Sequence, residues 1–182
     1  MTYDALNDRK NAKKFLEEAI INYPSASYAH EMKIRWNFED LKETREAKLA
    51  IENAVLATDI GAIMDIVLQV YIFEKDYKTS LKILKNLDRD VLTHQSSLNA
   101  RDYYIGLIYD LMGKNKLAIS YYKSALEVLE LKLNENIGDA MLHAAISRVY
   151  IQLGMYEDAV KSAQLSVALV SPARDAWYGI VN

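Results

Sequence analysis

A chain of 182 residues with 51% apolar and 26% charged side chains has the composition of a globular protein. A formal net charge of −3 and a pI near 5.7 oppose a dedicated nucleic-acid binder, which carries a basic field. The lack of cysteine excludes disulfides, thiolate zinc sites, iron–sulfur clusters and a cysteine nucleophile. Met1–Lys10 has no apolar core of the kind a signal peptide needs. The most apolar stretch, Ile60–Phe73, is broken by Asp65 and Gln69, short of the roughly 18–20 apolar residues that span a bilayer. The expectation is a soluble, cytoplasmic protein with no membrane partner.

Along the chain, an aromatic followed nine residues later by a small residue occurs five times. The pairs are Tyr3 and Ala12, Phe38 and Ala47, Tyr71 and Ser80, Tyr109 and Ala118, Tyr150 and Ala159. Successive copies are 35, 33, 38 and 41 residues apart. Such a period in a chain with two prolines and six glycines predicts stacked helical hairpins. Asp88–Ser97 reads as a loop with His94 in solvent. In Asn99–Leu131, Tyr104, Ile105, Ile108, Tyr109, Leu111 and Met112 fall at helical spacing, and Gly113 stands where a left-handed residue ends the helix. Leu117, Ala118, Tyr121, Tyr122, Ala125, Leu126 and Leu129 repeat the pattern on a second helix, with Ala118 and Ala125 small enough for close backbone approach. Asp139 is an N-cap signal for a helix through Ala144, Ala145, Val149, Tyr150 and Leu153, which Gly154 ends. Tyr156, Ala159, Val160, Ala163 and Val167 form its partner. Ser171-Pro172 opens a further helix.

Gly106, Tyr109, Gly113, Ala118, Tyr122 and Ala125 carry a recognisable signature, as do Gly154, Tyr156 and Ala159. Ala12, Leu16, Ala19 and Pro24, and then Ala47, Ile51 and Ala54, repeat its second half. On these residues the chain resembles the tetratricopeptide repeat (TPR) family, over essentially its whole length. Arg35, Leu68 and Ser147 depart from the family's small residue on the first helix, and Leu87 from the one on the second. Looser packing is expected in the Tyr28–Leu56 and Gly61–Leu87 hairpins. The resemblance implies an all-α fold, a right-handed superhelix of stacked antiparallel helical hairpins (a TPR-like α-solenoid).

In the family's register Met1–Leu6 is the tail of a first helix and Asn7–Lys10 a turn. The expected organisation is one solenoid over 1–182. It consists of a partial repeat 1–27, repeats 28–60, 61–98, 99–139 and 140–173, and a partial start at 174–182, where Asp175-Ala176-Trp177 opens another copy. Neither end offers an obvious polar cap, so the sequence reads as a fragment of a longer protein. The alternative is a homodimer through the uncapped ends. The seven extra residues of the 41-residue step lengthen either the helix through Leu129, Leu131 and Leu133 or the loop Asn134–Gly138. Lengthened repeats are familiar in bacterial regulators of this family.

No catalytic constellation is present. His30, His94 and His143 stand at no metal-ligand spacing, and Asp88-Arg89-Asp90 and Glu17-Glu18 are sequence neighbours, not carboxylates held across a cleft. The expectation is no enzyme, no cofactor and no metal. The resemblance places first helices along a concave groove. Away from the packing slots these helices offer Met32, Trp36, Asp65, Gln69, Tyr103, Leu107, Ala144 and Arg148, with Phe73 and Gln152 one turn further. Trp36 and Tyr103 are the expected anchors of a protein or peptide partner. No basic cluster stands among Met32, Trp36, Asp65 and Gln69, which disfavours the family's clamp for C-terminal carboxylates. A second reading is a ligand- or peptide-sensing regulatory domain of a larger bacterial signalling protein.

Overall fold

A computed structural model describes residues 9–40, 42–94 and 97–170. The expected elements at Met1–Leu6, Ser171-Pro172 and Asp175–Trp177 lie outside the described residues. The chain divides into two compact units, one ending at Asp76 and the other beginning at Tyr77. The dividing point falls inside the expected 61–98 repeat.

The N-terminal unit contains α1 (Arg9–Asn22), α2 (Ser27–Arg35), α3 (Thr44–Ala57) and α4 (Met64–Phe73). A π-helical segment, Trp36–Asp40, continues α2, and a 3-10 turn, Ile60–Ile63, leads into α4. α2 packs on α1, α3 and α4. Its core is Ile34, Ala47, Ile51, Ala54, Val67 and Val70, each at most 1% exposed. The small residues expected at 47 and 54 are therefore core residues of α3. Arg35, in the family's small slot, does not enter that core. Its guanidinium lies 2.9 Å from Glu31 and 2.7 Å from Glu39, one turn to either side, and the helix widens immediately after it.

The C-terminal unit contains α5 (Tyr77–Lys85), β1 (Val91–His94), β2 (Ser97–Ala100), α6 (Arg101–Leu111), α7 (Asn115–Glu135), α8 (Ala140–Gln152) and α9 (Tyr156–Leu169). α6 packs on α7, α7 on α8, and α8 on α9. Gly106 lets α6 approach α7, because a Cβ there would lie 2.5 Å from the Tyr122 ring. Ser147, at the same slot of α8, instead donates its hydroxyl to the Ala159 carbonyl at 2.8 Å. Asp139 caps α8 by accepting from the Met141 and Leu142 amides at 2.8 and 3.3 Å. The extra residues of the long repeat extend the helix: α7 runs for 21 residues.

One element corrects the sequence reading. The Asp88–Ser97 segment is not a plain loop, because β1 and β2 pair antiparallel there. Val91 stands opposite Ala100, Leu92 opposite Asn99, Thr93 opposite Leu98 and His94 opposite Ser97. Leu98 and Ala100 share one face and join a cluster with Ala118, Tyr122, Ala125 and Leu129 of α7 and Leu142, Ala145, Ile146 and Val149 of α8. Leu87 lies beyond α5, whose helix ends at Lys85. Arg101 fastens the base of the hairpin. Its amide donates to the Asp90 carbonyl at 2.7 Å, and its guanidinium reaches the Leu87 carbonyl at 3.0 Å and the Asp90 carboxylate at 2.9 Å.

The repeat register also shows in the backbone. Among the described residues, those with positive φ are Lys42, Lys75, Gly113 and Gly154, at 59°, 58°, 71° and 74°. Each stands four residues after a repeat aromatic: Phe38, Tyr71, Tyr109 and Tyr150. The turn of every described repeat is thus closed by one left-handed residue, glycine in the C-terminal unit and lysine in the N-terminal one.

Candidate functional site

Four expected groove residues fall in each unit. In the N-terminal unit, Met32 of α2, Trp36 of the π segment and Asp65 of α4 are half-buried, and Gln69 of α4 is exposed. Phe73, at the end of α4, is 69% exposed and stands edge-on to Phe38, with ring centroids 5.4 Å apart. Beside them Lys48 is ion-paired with Glu74 and lies 5.5 Å from the centroid of the Tyr71 ring. The hydrogen bond to Glu74 raises the Lys48 ammonium above the ordinary lysine value, and the same bond holds Glu74 below the usual carboxylate range.

In the C-terminal unit, Tyr103 and Leu107 of α6 are half-buried against the α7–α8 cluster. Tyr103 is edge-on to Tyr104 at 5.7 Å and tilted against Tyr122 at 6.1 Å. The Tyr104 hydroxyl accepts from the buried Asn99 amide at 2.8 Å, and Asn99 Oδ1 accepts from Arg148 Nε at 3.0 Å. Arg148 also donates to the Leu98 carbonyl at 2.5 Å. Tyr103 of α6 and Arg148 of α8 are therefore joined through Tyr104 and Asn99. Gln152, one turn beyond Arg148, is half-buried, as is Ala144 one turn before it. The guanidinium is held by β2, an anchor that sequence reasoning missed because the hairpin was missed.

The histidines have local partners. His30 Nε2 lies 2.8 Å from the Pro24 carbonyl, and His143 Nε2 lies 3.1 Å from the Ile137 carbonyl. Each ring thus ties the fourth residue of a first helix to the turn before it. The side chain of His94 lies outside the described residues. No cluster of three or more potential metal ligands occurs among the described residues. No helix among them is long and apolar enough to cross a membrane.

Sequence reasoning also passed over a row of lysines, Lys78, Lys82 and Lys85 on α5. The signal was available: the three stand at helical spacing, and no acidic residue occurs from Tyr77 to Leu87.

The tetratricopeptide repeat family model matches residues 1–21 and 103–128, the second spanning α6 and the first half of α7. No curated protein matches the chain. Among solved structures, the crystal structure of MamA is similar, at 16% identity and a TM-score of 0.46, covering 91% of this chain and 91% of that one. The chain thus carries the pattern of the tetratricopeptide repeat family at two places, about a quarter of its length, and its helical hairpins keep the register of such repeats.

Proposed function

We propose that the chain is a non-enzymatic scaffold that holds a peptide segment of a partner protein on the faces of its first helices. The residues assigned to that face are Met32, Trp36, Asp65 and Gln69 in the N-terminal unit and Tyr103, Leu107, Arg148 and Gln152 in the C-terminal unit. The observation that carries the reading is the relay from Tyr103 through Tyr104 and Asn99 to Arg148. It fixes an aromatic and a cation from two neighbouring first helices, and pre-set anchors of these two types dominate peptide interfaces. Half-burial suits this role, since each side chain is ordered by packing and still offers surface. The same reading takes the protein as cytoplasmic.

The test is selection of binding peptides from a display library on the full chain, followed by affinity measurement on variants. Trp36→Ala and Tyr103→Leu should each weaken the selected peptides by about 2 kcal/mol, roughly thirtyfold. Unchanged affinity in both would sink the assignment.

A further inference from the structure

The two sides of α5 differ sharply. Ser80 and Leu84 are fully buried, and its exposed residues are all lysines: Lys78, Lys82 and Lys85. Spacing of i, i+4, i+7 puts the three on one face, along about 10 Å of helix. With no acidic residue from Tyr77 to Leu87, the helix has no i, i+4 pair with which to neutralise the row.

Beside α5 stands Tyr109 of α6. Lys85 Nζ lies 5.8 Å from the centroid of its ring and 3.3 Å from its hydroxyl. From the α6–α7 turn, Lys114 Nζ reaches the same ring at 5.9 Å. Tyr121 of α7 stacks on that ring, with centroids 5.3 Å apart and planes at 23°. Among the described residues none of the four lysines is paired with a carboxylate, whereas Lys14, Lys48, Lys132 and Lys161 are. Of the two acids that follow α5, Asp90 is engaged by Arg101, and Asp88, three residues beyond Lys85, is exposed. The result is a positive strip on a chain of net charge −3.

We infer that this strip is a second docking site, for an acidic segment of a partner protein. Lysines one helical turn apart are about 5–6 Å from each other, close to the spacing of about 6.6 Å between alternate side chains of an extended peptide. Glutamates or aspartates on one edge of the peptide pair with Lys78, Lys82 and Lys85. The last of them sits between Lys85 and Lys114, above the two stacked rings. A bilayer fits less well, because the exposed face of α5 has no apolar residue to insert. A nucleic acid fits less well, because the strip is one helix face wide and the rest of the chain repels a long polyanion. The site goes beyond the groove reading, since α5 contributes no residue to the groove.

The experiment titrates the full chain into a rhodamine-labelled peptide of eight glutamates, read by fluorescence anisotropy at about 20 and 150 mM salt. Saturable binding that weakens with salt is expected. The variant Lys82→Gln/Lys85→Gln/Lys114→Gln should bind about tenfold more weakly. An equal change of charge elsewhere, Lys123→Gln/Lys132→Gln/Lys161→Gln, should leave binding unchanged, as should Gln69→Ala in the groove. All these positions are exposed, so the variants fold. Absence of saturable binding overturns the inference, as does equal weakening by the two triple variants or weakening by Gln69→Ala. Tighter binding to phosphatidylserine vesicles or to a single-stranded oligonucleotide than to the peptide also overturns it.

Discussion

Gly106 and Tyr122 are in contact so close that a single methyl group on Gly106 would lie 2.5 Å from one ring carbon and 2.6 Å from the next. Tyr122 is 1% exposed and its hydroxyl is tied to Asp110, so the ring has little room to withdraw. Gly106→Ala should therefore destabilise the C-terminal unit. Overpacking costs about 1–3 kcal/mol and the better helix propensity of alanine returns up to about 1 kcal/mol, so the net loss is about 1–2 kcal/mol. Thermal unfolding checks this. The double variant Gly106→Ala/Tyr122→Leu should lose less than the sum of the two single changes, because the smaller side chain relieves the clash.

The pH dependence of stability should carry the mark of Tyr122. Burial, reinforced by the hydrogen bond to Asp110, pushes its hydroxyl far above the ordinary tyrosine value. A group whose folded pKa is raised contributes stability that is complete below its unfolded pKa, here about 10, and is lost as the pH rises beyond it. Tyr71 and Tyr150 are shifted in the same direction, chiefly by burial, and add to the effect. Denaturant unfolding should thus show stability falling steadily above about pH 10. Tyr122→Phe should be less stable at neutral pH by about 1 kcal/mol and should fall less steeply in alkali.

The left-handed turn residues make a pair of opposite predictions. Gly113 and Gly154 have open space around the missing Cβ, so only backbone strain opposes a side chain there. Gly113→Ala should cost about 1 kcal/mol. Lys75 already bears that strain at φ 58°, and Lys75→Gly should stabilise the N-terminal unit by up to about 1 kcal/mol. Equal and opposite shifts in denaturation midpoint would be the signature; a destabilised Lys75→Gly would contradict it.

Asn99 serves two partners at once, donating to Tyr104 and accepting from Arg148. Asn99→Leu should leave a buried hydroxyl without its donor and an arginine without one acceptor, at a cost of about 1–3 kcal/mol. If the relay also orders the groove, peptides selected on the wild-type chain should dissociate faster from this variant, with stability restored by temperature or osmolyte before the comparison. Stopped-flow dissociation measures it.

Where the repeat pattern was written in small residues, the sequence was a good guide. Gly106, Ala118 and Ala125 mark the α6–α7 contact, and Gly113, Asp139 and Gly154 mark helix ends, because only those residue types fit those backbones. The turns at Lys42 and Lys75 use the same left-handed geometry without glycine, so nothing local announced them. The β hairpin was illegible for a different reason. Four residues per strand give too short an alternation to separate from a loop, and the pairing is stabilised by Leu98 and Ala100 meeting α7 and α8, contacts distant in sequence. The candidate groove is a set of positions taken from the repeat register, and the partners of its residues were not legible in the sequence. Arg148 reads as a cation available for binding, and its neighbour in space, Asn99, stands 49 positions away in the chain.

The hairpin that precedes α6 and the 21-residue α7 fall in successive long steps of the repeat, those of 38 and 41 residues. They meet in the same apolar cluster, where Leu129 of the lengthened helix, Leu98 and Ala100 of β2, and Leu142 of α8 are all at most 9% exposed. A longer helix without the hairpin would leave Leu129 bare on one side; a hairpin without the longer helix would have less to cover. The two added segments therefore form a single packing unit. Relatives of this chain should gain or lose them together, and a lineage that keeps one alone should show polar substitution at the positions of Leu98 and Leu129.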